Sequence, residues 1–351
     1  MKKVPISKLT TFATTVLVKK GFPRNEAAYL SKFIIETEAF RSTSHGLDQL
    51  FALVGNIGSR IVPGKAPKIL KNKGSMVLID GDGVAGLLCM KTATEKAAEK
   101  ALKLGVSFTS VINTTWVGSL GSHLKSISEK GLIAMAWAQT SACKDCAPFG
   151  GITPCFSTNP IAMSFPVDKE AMIADYSTAS YSMASGSRMI SNGEKSDTPR
   201  FIDKEGNPTT EPSVLKNGGS IMFTGLDLEG HKFYGLSLFI EALTAMSGGS
   251  ANNPNVPSRQ SAMIMVVNPE MFAGNNYFKK EINRFVAHVK SSKVRPGFDS
   301  IKLPGERGFA SLKEARKEGV TLNNAKLEKL ESLAKENNIA IKWSMIGGKN
   351  G

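Results

Sequence analysis

Residues 76–138 alternate short apolar runs with helix-like stretches, and this alternation limits the fold more than any other feature of the chain. Residues 76–80 form an apolar run of strand length. Residues 91–104 are rich in Ala, Lys and Glu, a helical composition that ends at Gly105. Residues 106–112 read as the next strand, 122–130 as a short helix stopped by Gly131, and 132–138 as a third strand. Residues 161–165, 172–175 and 262–267 are further apolar runs of the same kind. Strand and helix in alternation predict an α/β fold in which helices cover both faces of the sheet.

The flanks read as helical. Leu9, Phe12, Val16 and Lys20 line one face over residues 7–20. Ala27, Leu30, Phe33, Ile34 and Thr37 do the same over 24–39, where Pro23 can open the first turn. After Ser44-His45-Gly46 comes an apolar stretch, residues 47–61, broken at Pro63-Gly64. Residues 186–220 are polar and turn-rich and read as a surface loop. A strongly apolar helix is expected over 234–246, a loop over 247–260, and a last helix over 326–337. At roughly 100–200 residues per domain, 351 residues make two or three units. The expected division is a helical region, 1–72 with C-terminal helices of 307–351, then an α/β region, 73–180, and 181–306 with the rest of the sheet and its loops.

Composition narrows the function. A net charge of +14 raises nucleic-acid or anionic-membrane binding. Only 10 of the 44 basic residues are Arg, the side chain favoured for base readout and phosphate clamps, and the Lys are spread out. The expectation is a solvated basic surface that draws in carboxylates or dinucleotides, with no nucleic-acid partner. No apolar run approaches the roughly 18–20 residues that span a bilayer. The basic N-terminal segment carries Lys8 in its apolar stretch and no small-residue cleavage site, so it reads as a helix and not a signal peptide. A cytoplasmic protein with no membrane partner is expected. Four cysteines make no disulfide framework. Cys143 and Cys146 form a lone CxxC without zinc-spaced His, which predicts free thiols and no metal.

Gly81-Asp82-Gly83-Val84-Ala85-Gly86 matches GxGxxG between a strand and a helix. A helix that starts near residue 91 would lie too far on to meet a pyrophosphate. The acidic ribose partner is also missing, because the next strand ends in Val111-Ile112-Asn113. The motif reads as a strand-end turn.

Six segments resemble one family, in order along nearly the whole chain. They are Ser44-His45-Gly46, Asn113 to Gly121, Pro148-Phe149-Gly150-Gly151 with Ser157-Thr158-Asn159-Pro160, Asp175-Tyr176-Ser177-Thr178, Gly230 to Leu236, and Leu303-Pro304-Gly305-Glu306-Arg307. The chain resembles the malate/L-lactate dehydrogenase-type oxidoreductases, which include L-sulfolactate dehydrogenases and cyclic-imine reductases. The resemblance implies a three-layer core with a large mixed sheet, not a Rossmann fold, plus an N- and C-terminal helical layer. It implies NAD or NADP, a small carboxylate substrate, and a homodimer formed through the helical region. The reaction it implies interconverts a 2-hydroxy or 2-amino acid with its 2-oxo or 2-imino form.

That chemistry needs a hydride carrier, a general acid or base and a holder for the carboxylate. By resemblance, His45 is the proton donor and Ser44 orients it or bonds the substrate. Gly118, Ser119, Gly121, Asp175, Tyr176, Ser177, Thr178, Lys232, Pro304, Gly305 and Glu306 match the stretches that hold the dinucleotide. Three departures stand out. Trp116 replaces the histidine that accepts a proton in several members, and an indole offers one N–H and no acceptor. Gln49 replaces a carboxylate-binding arginine, losing about 1–2 kcal/mol of charge-assisted bonding, and Leu53 replaces a tyrosine. Lys144, Arg259 and Arg41 are candidates to restore the charge beside Gln49 and Trp116. A reductase of an unusual acid fits these residues: a cyclic or imine acid, or an apolar one stacked on Trp116. A paralogue without activity that binds a partner is the alternative.

Overall fold

The computed structural model describes residues 2–40, 45–168, 170–341 and 343. The first half runs β1 (Lys2–Val4), α1 (Ile6–Lys19), α2 (Arg24–Ala39), α3 (Asp48–Gly55), β2 (Lys68–Lys73), β3 (Met76–Asp80), α4 (Gly86–Leu104), β4 (Val106–Thr114), α5 (Leu120–Ser128), β5 (Ile133–Thr140), β6 (Ile161–Phe165) and β7 (Met172–Tyr176). Then follow α6 (Met183–Asn192), β8 (Phe201–Ile202), β9 (Pro208–Thr209), β10 (Ser220–Ile221), α7 (Leu226–Met246), β11 (Gln260–Val267), α8 (Asn275–Lys290), α9 (Glu306–Glu318), β12 (Val320–Leu322) and α10 (Asn324–Glu336).

Seven strands form a mixed sheet in the order β2-β3-β4-β11-β5-β6-β7. Only β3 and β4 pair in parallel, and α4 makes the crossover that a parallel pair requires. Side chains alternate across the sheet. Ala134, Ala136 and Ala138 of β5, with Ala262, Ile264 and Val266 of β11, enter the main core with α4 and α5. Ala93, Ala97 and Ala101 on α4 are fully buried there, and small groups on both sides let helix and sheet approach closely. Trp137 and Met263 point to the opposite face, where Ile240 of α7 covers them. Helices on both faces give the expected three layers.

The helical layer joins the same core. Leu9, Val16, Leu30 and Ile34 cluster with Leu327 and Leu330 of α10. β1 pairs antiparallel with β12. Lys326 reaches Glu38 at 2.5 Å, and the Glu38 side chain is only 4% exposed. The other Glu38 oxygen accepts from the Leu47 amide at 2.8 Å, so this carboxylate ties α10 to the turn that follows His45.

Two expectations need correction. The helix placed at 91–104 begins at Gly86, so distance from a helix start no longer argues against the glycine motif. The motif is nevertheless packing. A Cβ at Gly86 would stand 2.2 Å from the Trp116 carbonyl oxygen, and one at Gly81 would stand 2.7 Å from Cys89 Sγ. The Gly86 amide, at the helix start, donates to Thr115 Oγ1 at 2.9 Å. Residues 186–220 are also more than a loop. They hold part of α6 and a three-stranded sheet, β10-β8-β9, whose Phe201 and Ile221 form a small core with Cys146, Phe156, Ala179 and Phe223.

Candidate active site

A cavity of about 770 Å³ is lined from α2, the first turns of α5, the end of β7 and the start of α9. It brings together His45, Ser119, Gly121, Asp175, Tyr176, Ser177 and Gly305 from the expected set. It adds Lys125, Ser122, Ser180, Tyr181 and Ser182, which no motif marks, and Arg307, which closes the Leu303–Arg307 segment but has no role assigned from sequence. Phe33, Phe40, Ile173 and Leu312 supply apolar wall. Volume and lining suit a ligand with flat rings and an anionic linker.

The α5 N-terminus is closed by the protein's own groups. The Asp175 carboxylate accepts from the Gly121 amide at 2.9 Å and from Ser119 Oγ at 2.8 Å. Ser119 Oγ in turn accepts from the Ser122 amide. A Cβ on Gly121 would lie 2.8 Å from Ile173 Cγ2 and 3.0 Å from Asp175 Cβ, so this approach requires glycine. Gly118 has φ +84° and packs against Leu87 and Phe33 without lining the cavity. The full cations on the cavity wall are Lys125, one helical turn beyond Gly121, and the exposed Arg307.

His45 and Trp116 meet edge to face, with ring centroids 5.7 Å apart. His45 faces the large cavity, and Trp116 faces a second one of about 80 Å³ lined also by Gln49, Leu53, Asn56 and Arg60. The ring pair therefore stands between a space of dinucleotide size and a much smaller one. His123 cannot replace the missing base. It is buried and stacks on Phe33 at 4.4 Å, with Nε2 2.7 Å from the Val117 carbonyl oxygen. Burial pushes its pKa down to about 4, against the weaker pull of that carbonyl.

Other expected residues lie elsewhere. Ser44 and Arg41 fall outside the described residues. Lys144 is exposed and lines neither cavity. Arg259 faces Asp82 at 3.8 Å. Thr178 is fully buried and donates to the Thr158 carbonyl at 2.9 Å. Lys232 pairs with Glu229 at 2.6 Å on the exposed side of α7. The Pro304 carbonyl accepts from the Ile173 amide, and Glu306 pairs with Lys290 at 2.6 Å. Cys143 and Cys146 are free thiols. Burial pushes Cys143 up to about 12 and Cys146 higher than usual, so neither is a ready thiolate. Among the described residues no cluster of three or more His, Cys, Asp or Glu could hold a metal. Among them, too, no helix is long and apolar enough to cross a membrane.

Residues 4–331 match the model of the malate/L-lactate dehydrogenase family, and the chain belongs to that family. The malate dehydrogenase of Pyrococcus horikoshii is 30% identical over 95% of each chain. The solved sulfolactate dehydrogenase of Methanocaldococcus jannaschii superposes with a TM-score of 0.83 at 27% identity, covering 96% of this chain and 98% of that one. A Δ1-pyrroline-2-carboxylate/Δ1-piperideine-2-carboxylate reductase of Pseudomonas putida is 25% identical over 94% of this chain and 96% of its own. The relatives are thus dehydrogenases and reductases of hydroxy and imino acids.

Proposed function

We propose that the chain is an NAD- or NADP-dependent reductase of 2-oxo or 2-imino carboxylates, a cytoplasmic homodimer with the large cavity as its cofactor site. One observation carries this reading: the His45–Trp116 pair separates a cavity of dinucleotide size from a small, mostly apolar one that holds a single cation among its described lining residues, Arg60. The residues present fit the cofactor. Lys125 and Arg307 suit a diphosphate, the serine hydroxyls suit ribose, and Phe33, Phe40 and Ile173 offer surface for rings. A reduced nicotinamide, when bound, supplies the hydride. His45 gives a proton to the oxygen or nitrogen that receives electron density. Trp116 accepts no proton, which leaves His45 as the group that moves the proton in either direction. A protonated imine already carries its charge and asks less of a general acid. Retention of His45 on the cavity wall favours an enzyme over a partner protein without activity.

The test is to titrate the protein with NADH and NADPH by fluorescence, then follow absorbance with 2-oxo acids, with and without ammonia, and with cyclic imino acids. Binding of one cofactor and turnover of one acid is expected. His45→Ala should cost about 10²–10⁴ in kcat. No cofactor binding would end the reading.

A further inference from the structure

The small cavity raises a question that the reductase reading leaves open. A carboxylate substrate needs a cation, and the expected position carries the neutral Gln49.

We infer that Arg60 holds the substrate's anionic group, taking over from the turn that follows α3 the role that Gln49 cannot fill. This inference rests on the reductase reading for its substrate, but the anion site it describes can be measured by itself.

Four observations converge. First, Gln49, Leu53 and Asn56 follow the 3.6-residue period of α3, and they line the small cavity together with Arg60. The helical path ends at Asn56, Gly58 takes φ +83°, and a turn closed by the Arg60 amide on the Asn56 carbonyl at 2.9 Å brings Arg60 back to the same cavity. Second, Arg60 is the only Lys or Arg among the described lining residues, and no Asp or Glu lines the cavity with it. Third, one guanidinium nitrogen of Arg60 donates to the Ser258 carbonyl, which fixes the side chain while leaving other N–H groups of the fork for a ligand. Partial burial and the nearby Arg259 both press against the Arg60 charge and lower its pKa. Asp82 answers Arg259 at 3.8 Å and is shared with Lys65 at 3.4 Å. An anion beside Arg60 would relieve that strain. Fourth, the space beside Arg60 is about 80 Å³ against about 770 Å³ in the large cavity, so it suits a small anionic head group and leaves the bulk of a ligand to the His45 side of Trp116.

The experiment uses oxalate, a small planar dianion, titrated calorimetrically into the intact wild-type protein and into Arg60→Gln and Arg60→Lys. Thermal midpoints check that each variant folds. Oxalate should bind the wild type, about tenfold or more weaker to Arg60→Gln, and with intermediate affinity to Arg60→Lys, which keeps the charge and loses the fork. Arg60→Gln binding within twofold of wild type would overturn the inference, as would a wild type that binds no oxalate. If Arg60→Gln fails to fold, Arg60→Lys decides, since a structural clamp alone predicts unchanged oxalate affinity. Turnover is read separately. A wild type that binds oxalate through Arg60 but reduces no 2-oxo or imino acid leaves the anion site standing and removes the reductase reading.

Discussion

Asp145 and His123 are two ionisable groups whose burial works in opposite directions. Burial pushes Asp145 up to about 6, partly offset by the Thr158 amide, while His123 is pushed down to about 4. Between pH 4 and 6 the folded Asp145 holds a proton that the unfolded chain has lost, so its contribution falls as pH rises. His123 does the reverse: the unfolded chain binds a proton below about 6.5 that the folded one refuses, so stability is lost as pH falls toward 4. The two slopes oppose each other in wild type. Asp145→Asn should gain on the order of 2–3 kcal/mol at pH 7 and expose the rise due to His123 between pH 4 and 6.5. Denaturant midpoints at four pH values read this directly, and equal slopes for mutant and wild type would refute it. The same scale shows what a motif can tell. Asp175-Tyr176-Ser177-Thr178 matched as a unit, yet Ser177 faces the cavity and Thr178 turns into the core. A run of letters does not say which side chain faces which way. Periodicity does within a helix, so 121-125 marks Lys125, whereas Arg60 lies past the end of α3, where no period reaches it.

Among elements, the junction of α5 and β7 is the tightest part of the site. Gly121→Ala would drive a methyl against Ile173 and Asp175 and part the two hydrogen bonds that hold the α5 start. A loss of about 1–3 kcal/mol is expected, with weaker cofactor binding. Serine at 119 replaced by alanine would leave that backbone in place and should lose less. Thermal midpoints that rank the pair in the other order would count against this account. Element boundaries also show where pattern reading stops. α4 starts five residues early because its first turn is Gly86-Leu87-Leu88, and glycine gives no helical signal of its own. The two-residue strands β8, β9 and β10 are too short to display any period, so residues 186–220 read as loop. α8 went unread although its pattern is amphipathic, and none of its residues is fully buried.

The molecule as a whole leaves α7 half covered. Leu228, Phe239 and Met246 recur at 11 and 7 residues, one stripe of the helix, and are 88%, 60% and 69% exposed. Ile240 on its other side faces the sheet. A helix apolar on both sides calls for a second cover, and we expect another copy of the chain to provide it through α7, in place of the terminal helical region that the resemblance implied. Light scattering should give about twice 37.6 kDa for wild type and the single mass for Phe239→Glu with Met246→Glu. A monomeric wild type would dismiss the homodimer. The mixed sheet was legible in outline from its apolar runs, but its order was not. β11 inserts between β4 and β5 after a long detour, and local pattern carries no record of such a return.

The Glu38–Lys326 contact has a consequence in biosynthesis. The two residues lie 288 apart, and Glu38 also anchors the turn beyond His45. At about 5–20 residues per second, the ribosome needs roughly 15–60 s to deliver the lysine after the glutamate. Through that interval the nascent chain carries the turn beyond His45 unfastened. A late helix thus secures an early part of the cavity wall, which is completed only once translation has passed α10.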